Sequence, residues 1–145
     1  MERRLVLRVL EYWRSISTND SFPARDRIDP SKIPDLWPHC ILVDAAGKEA
    51  DPEIVYVGEG FEDAAAGDLT RKRISELPSN VLASEALSFL FEVLDKRAPV
   101  SRGGQFLDYH GTHILFRSII LPLANDGATI DGLLCAANCR KVLQE

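Results

Sequence analysis

Apolar positions recur with a helical period at the start of the chain. Val6, Val9, Leu10, Trp13 and Ile16 fall at i, i+3, i+4, i+7 and i+10, and Leu5 and Tyr12 widen the stripe. The spacing predicts an amphipathic helix over residues 2–16. A helix this apolar needs a surface to cover, either on its own domain or on a second copy of the chain. In the second case Val6, Val9, Leu10, Trp13 and Ile16 form a dimer interface. The period is then lost: Asn19, Asp20, Pro23, Asp29-Pro30, Pro34 and Pro38 break helix and strand alike over residues 17–38. Within that connection, Asp29-Pro30 reads as an N-cap followed by Pro at the first position of one helical turn.

Strand-like runs follow. Residues 40–47 are apolar up to a glycine, and residues 53–61 are β-branched and aromatic. Residues 64–78 are polar and broken, with short helical pieces at most. A long helix is predicted over residues 80–97, with Leu87, Leu90, Phe91 and Leu94 on one face. Ser79 or Asn80 caps it, Lys96-Arg97 complement its C-terminal dipole, and Ala98-Pro99 ends it. Three strands close the chain at 100–109, 112–123 and 128–139, with turns at 110–112 and 125–127. The glycines of "RGGQ" (residues 102–105) predict a bulge, and Pro122 predicts a bulge or frayed ladder near its turn. Strands segregated around one crossing helix, with no βαβ alternation, give an α+β domain with an antiparallel sheet.

The 145 residues fit one domain able to bury roughly 70% of its unfolded surface. A net charge of −5 lacks the basic footprint of a nucleic-acid-binding domain. No apolar run approaches the ~20 residues of a membrane-spanning helix, and the arginine-interrupted N-terminus does not read as a signal peptide. Cys40, Cys135 and Cys139 are an odd number without disulfide-framework spacing, which fits free thiols and a cytoplasmic location.

The element order resembles a PAS domain: two strands, short helices, a long connecting helix and a three-strand meander. "IVYVGEGF" (residues 54–61) is similar to the second PAS strand and its exit, with Gly58 where many members carry Asn. More closely, the chain resembles a family of small free-standing bacterial PAS-like proteins. Their pattern has Tyr-Trp near the start, Pro-x-Arg-x-x-Ile-Asp-Pro, Gly-Arg-Asp-Leu-Thr-Gly and a late Leu-Pro-Leu. Here stand Tyr12-Trp13, "PARDRIDP" (residues 23–30), "GDLTRKRISEL" (residues 67–77) and "ILPLANDG" (residues 120–127). Arg71 replaces the Gly after the Thr, and Arg117-Ser118 replaces a Glu-Arg pair. The resemblance implies a five-stranded antiparallel sheet and a sensory or protein-interaction role in signal transduction; it supplies no enzymatic activity, and the absence of a catalytic constellation in the sequence gives the expectation of a non-enzyme. It divides the chain into an N-terminal amphipathic helix (1–18), a Pro-rich connection (19–38) and the PAS-like domain (39–145). It also places the final strand centrally beside the first, which accounts for Leu133 to Ala137 being apolar at every position.

The candidate chemistry is sparse. Residues 80–97 contain no His or Cys for an axial haem ligand, and no Cys between Gly58 and Arg97 offers a flavin nucleophile; the Asn138-Cys139-Arg140 triplet lies at the end of the last strand. His110 and His113, at i and i+3 on a strand, point to opposite faces, and Cys135 and Cys139 lie about 13 Å apart on an extended strand. They do not converge on zinc. No cofactor or metal is expected. Glu59, Glu62 and Asp63 read as a solvated acidic loop. Arg117 shares a face with Leu115, Ile119 and Leu121. If that face meets the long helix, its guanidinium can hold an anion beside Tyr56, Leu87 and Phe91; if a bulge shifts the register, it points to solvent. The expected partners are a second copy, a signalling protein or a small ligand between long helix and sheet. The alternative is a small α+β cavity enzyme or lipophilic-ligand carrier.

Overall fold

The computed structural model describes residues 4–18 and 20–142; Asn19 and the first two residues of the helix predicted over 2–16 lie outside them. The elements run α1 (Leu5–Ser15), β1 (Cys40–Asp44), β2 (Glu53–Val57), α2 (Leu82–Ala86), α3 (Leu90–Lys96), β3 (Val100–Leu107), β4 (His113–Leu123) and β5 (Gly132–Lys141). Among the described residues, five single turns of 3₁₀ helix punctuate the connections. One begins at Pro30, where the Asp29 carboxylate accepts from the Ser31 amide (3.0 Å).

The strands form one antiparallel sheet in the order β2-β1-β5-β4-β3. The fold is α+β. The central position of β5 explains its composition. Leu133 to Cys135 pair with β1 on one side and β4 on the other, and all residues from Leu133 to Ala137 are buried. Odd-numbered residues face α2 and α3, with Ile120, Ile41 and Val43. Leu134 and Ala136 face α1, with Ile119, Leu121 and Leu42. Each fully buried Leu or Ile contributes about 1.5–3 kcal/mol.

Helix α1 lies on its own sheet. Leu5, Val9 and Trp13 are buried there, and the Trp13 indole donates to the Pro122 carbonyl (2.9 Å). That bond also resolves Pro122. Its carbonyl, and hence its nitrogen, faces away from β5, on the side where β3 has already ended its pairing at Ile120. The missing N–H costs no ladder bond, and the β4–β5 register runs through Pro122 without the expected bulge. The glycines of "RGGQ" cause no bulge either. A Cβ on Gly104 would come 3.0 Å from the Phe116 ring, so that glycine makes room for an aromatic side chain.

Two other expectations are corrected. The final hairpin is joined by residues 124–131, so β5 begins at Gly132 instead of 128; the loop is held by Phe22, whose amide donates to the Gly127 carbonyl (3.0 Å), and by the Pro23 carbonyl, which accepts from the Ala124 amide (3.0 Å). The predicted long helix is two short ones, separated by residues 87–89. At the break, Leu90 and Glu92 donate to the Leu87 and Phe89 carbonyls, both at 3.1 Å, three residues back instead of four. Ser84 and Ser88 turn their hydroxyls onto the Val81 and Glu85 carbonyls (2.9 and 2.8 Å), competing with the helical ladder. The N-cap is Val81, not Ser79 or Asn80.

Candidate functional site

The helix break leaves the Ala86 carbonyl without the amide that an unbroken helix would supply from Leu90. Ser118 of β4, fully buried, donates its hydroxyl to that oxygen (2.8 Å), and the Cys135 thiol lies 3.6 Å from both. A buried carbonyl is thus satisfied from the sheet. Burial pushes the Cys135 thiol up to about 12, so it is a protonated packing group. Around this point Ala83, Leu87, Leu90, Val93, Val43, Ile54, Phe61, Leu69 and Leu133 close the space between sheet and helices. Sequence reasoning passed over Ser118. Its signal was a lone hydroxyl on the β4 face that alternation gives to Phe116 and Ile120.

The four residues predicted to share a ligand are not brought together. Leu87 is buried in that interior, but the break rotates Phe91 outward, to 47% exposure. The two line a cleft of about 320 Å³ with Ile74, Leu77 and Ser84. Tyr56 is on the opposite, α1-facing side of the sheet. It stacks on Trp37 (centroids 4.3 Å apart, planes 13° apart), and its hydroxyl donates to the Trp37 carbonyl (3.1 Å). Burial, with Cys40 and Glu59 nearby, raises its pKa. Arg117 is on the α1 side too, because alternation there continues from Ile119 and Leu121. That face meets α1 and not the long helix, and α1 stops short of covering Arg117. The guanidinium is exposed beside a cleft of about 250 Å³ lined by Val6, Leu7, Ser101 and Gly103.

The residues predicted for a dimer interface are divided likewise. Val9 and Trp13 are committed to the chain's own sheet, whereas Val6, Leu10 and Ile16 are partly buried and Leu7 is 59% exposed. The periodicity was correctly helical; it identifies the intramolecular face.

A cleft of about 490 Å³ has Val57, Phe61 and Leu69 on its floor and Glu62, Asp63 and Asp68 at its rim. Two of these carboxylates cap their own loop: Asp63 accepts from the Ala65 amide and Asp68 from the Thr70 amide, both at 2.9 Å. Among the described residues no three His, Cys, Asp or Glu side chains converge to hold a metal. Asp131 accepts from the Asn125 amide (3.1 Å) and staples the β4–β5 loop. No helix among the described residues is long and apolar enough to cross a membrane.

Among solved structures the chain is similar to the light state of the blue-light photoreceptor Aureochrome1 LOV (15% identity, 81% of this chain and 90% of that one, TM-score 0.47). It is similar to a light-oxygen-voltage domain studied with a flavin analogue (18%, 72% and 77%, TM-score 0.46). It is also similar to a variant of the fungal photoreceptor VVD (15%, 90% and 92%, TM-score 0.49). No curated protein matches the sequence significantly. The family model described as "PAS domain" matches residues 1–136, from α1 through the centre of β5. With that match covering 136 of the 145 residues and reaching into all five strands, the chain belongs to the PAS domain family.

Proposed function

We propose that this chain is a non-catalytic PAS-type sensory and interaction module of bacterial signal transduction, acting in the cytoplasm through contact with a signalling protein or a second copy. One observation carries the reading. The space between the sheet and α2–α3, where a PAS ligand is expected, is filled by the chain's own apolar side chains, with Leu87, Leu90, Val93, Ile120, Leu133 and Cys135 all at 1% exposure or less. A core packed to this degree leaves the surface to carry recognition. Exposed Leu7, Phe91, Leu107 and Tyr109 supply apolar contact there. A small ligand, if used, would act from a surface cleft.

Native mass spectrometry with an absorption spectrum of the purified protein tests this. The expected result is the mass of the polypeptide alone, with absorption from aromatic side chains only. A stoichiometric co-purifying small molecule or a visible chromophore would contradict it, whereas a second copy or a protein partner would not.

A further inference from the structure

The two edges of the sheet are treated differently. The outer edge of β2 is covered: the Ile54 amide donates to the Lys72 carbonyl (2.9 Å), its carbonyl accepts from the Arg71 amide (2.7 Å), and the Ile74 amide donates to the Pro52 carbonyl (2.9 Å). The edge at β3 is open. His113 on β4 turns its carbonyl to β5, accepting from the Val142 amide (2.9 Å), so even-numbered β4 residues face β3. Through the β3–β4 register, Val100, Arg102, Gly104 and Phe106 then bond β4, and Ser101, Gly103, Gln105 and Leu107 turn their amides and carbonyls outward. Among the described residues the one partner along that edge is the chain's own Arg102 Nη1, which donates to the Ser101 carbonyl (3.1 Å). Edge strands are normally guarded by Lys, Pro, a bulge or a covering segment. β3 carries neither Lys nor Pro, its register is unbroken over eight residues, and Ser101 to Gln105 are all exposed.

Charge selects the occupant. The protein is acidic overall, yet β3, β4 and β5 contain no Asp or Glu and do carry Arg102, Arg117, Arg140 and Lys141. Arg102 is held by Glu92 (2.6 Å). Arg117 is exposed, and among the described residues no carboxylate pairs with it. It lies directly across from Gly103, one strand in from the edge. Gly103, the residue across from it, puts no side chain between Arg117 and a residue added outside β3. Leu7 and Val6 wall the same cleft.

We propose that β3 is a docking strand that takes an extended acidic segment of a partner protein by strand addition, with one carboxylate of that segment bound by Arg117 over Gly103. The backbone edge supplies the main-chain bonds and Arg117 the side-chain selectivity. The assignment rests on the interaction-module reading and gives it a surface.

The probe is a display library of random 12-residue peptides panned against the full chain. The enriched peptides should carry Asp or Glu between β-branched residues. Their binding should slow hydrogen exchange at Ser101, Gly103, Gln105 and Leu107. Gln105→Pro removes an outward N–H that makes no ladder bond, and should abolish binding while leaving the circular dichroism spectrum unchanged. Arg117→Gln should weaken binding about tenfold, an effect that shrinks at high salt. Should Gln105→Pro fail to fold, Arg117→Glu and the exchange pattern decide. The proposal is overturned by no enrichment, by peptides that bind Gln105→Pro equally well, or by protection elsewhere. A dimer in light scattering that Gln105→Pro dissolves would seat a second copy on the edge and overturn the assigned occupant. Peptides docked on another surface would leave the module reading intact, whereas an interior ligand would end that reading without touching the edge.

Discussion

Gly58 is the residue whose replacement tests the packing of the connection against the sheet most sharply. It follows β2 at φ −70°, a conformation open to any residue. If only backbone entropy mattered, Gly58→Ala would stabilise the protein by about 0.4–1 kcal/mol. The surroundings predict the opposite sign. A Cβ at this position would lie 2.5 Å from the Pro38 carbonyl carbon and closer still to its oxygen, and 2.8 Å from the Trp37 oxygen. All of these are backbone atoms. They cannot step aside as a side-chain tip can, because the Gly58 amide is bonded to the Cys40 carbonyl (2.8 Å) and the His39 amide to the Leu36 carbonyl (2.9 Å). Relief requires moving residues 37–40 against β1. Overpacking of this kind costs about 3 kcal/mol, or about 10 °C in Tm for a domain of this size. Thermal denaturation followed by circular dichroism reads the change directly. A Gly58→Ala protein as stable as the parent would show that Trp37-Pro38 does not pass over Gly58 and would refute the argument.

Arg71 is exposed and sits at φ +73°, so Arg71→Gly removes left-handed strain and should raise stability by about 1 kcal/mol, a Tm gain of about 2–4 °C. Ser118→Ala leaves the Ala86 carbonyl with only a weak thiol partner and should cost about 1–3 kcal/mol in urea unfolding, with the m-value unchanged. Burial raises all three thiol pKa values, but Cys139 alone is exposed; it should react with a disulfide reagent in the native protein, whereas buried Cys40 and Cys135 should react only on unfolding. The Ser75 hydroxyl and amide, donating to the Asp51 carboxylate, hold its pKa below the usual range, and the Ala128 and Thr129 amides do the same for Asp126. A folded pKa below the unfolded ~3.9 gives stability that is complete above that pH and lost as pH falls through the folded values. A pH series should therefore show a flat Tm from pH 7 to about 5 and a decline below about 4.

Much of the fold was legible because it rests on apolar period and turn residues. Val9 and Trp13 announced α1, the unbroken run at Leu133 to Ala137 fitted the central strand, and Asp29-Pro30 marked its own turn. The two-fold choice left open for α1, its own sheet or a second copy, depended on tertiary packing: an apolar stripe is the same whichever surface covers it. The break between α2 and α3 was hidden for a related reason. Leu87, Leu90, Phe91 and Leu94 fit a single helix face, and the competing signal lay in Ser84 and Ser88, whose hydroxyls act on nearby carbonyls, with Ser118 on a strand 32 residues beyond the Ala86 carbonyl it serves. The predicted ligand set dispersed because it assumed that face. Arg117 was located correctly by alternation among Leu115, Ile119 and Leu121, but which helix lies over that face is not a property of the strand. The departures from the family pattern, in contrast, found physical meaning: Gly58 stands where a backbone crosses, and Arg71 stands where a glycine would be unstrained.

If the space between the sheet and α2–α3 is filled by the protein itself, recognition belongs to its surface. A crystal of the protein pressurised with xenon tests this most directly, because xenon enters apolar voids of sufficient size. A filled interior gives no xenon peak among Leu87, Leu90, Ile120, Leu133 and Cys135. A well-occupied xenon site there would reveal an interior ligand cavity and contradict it.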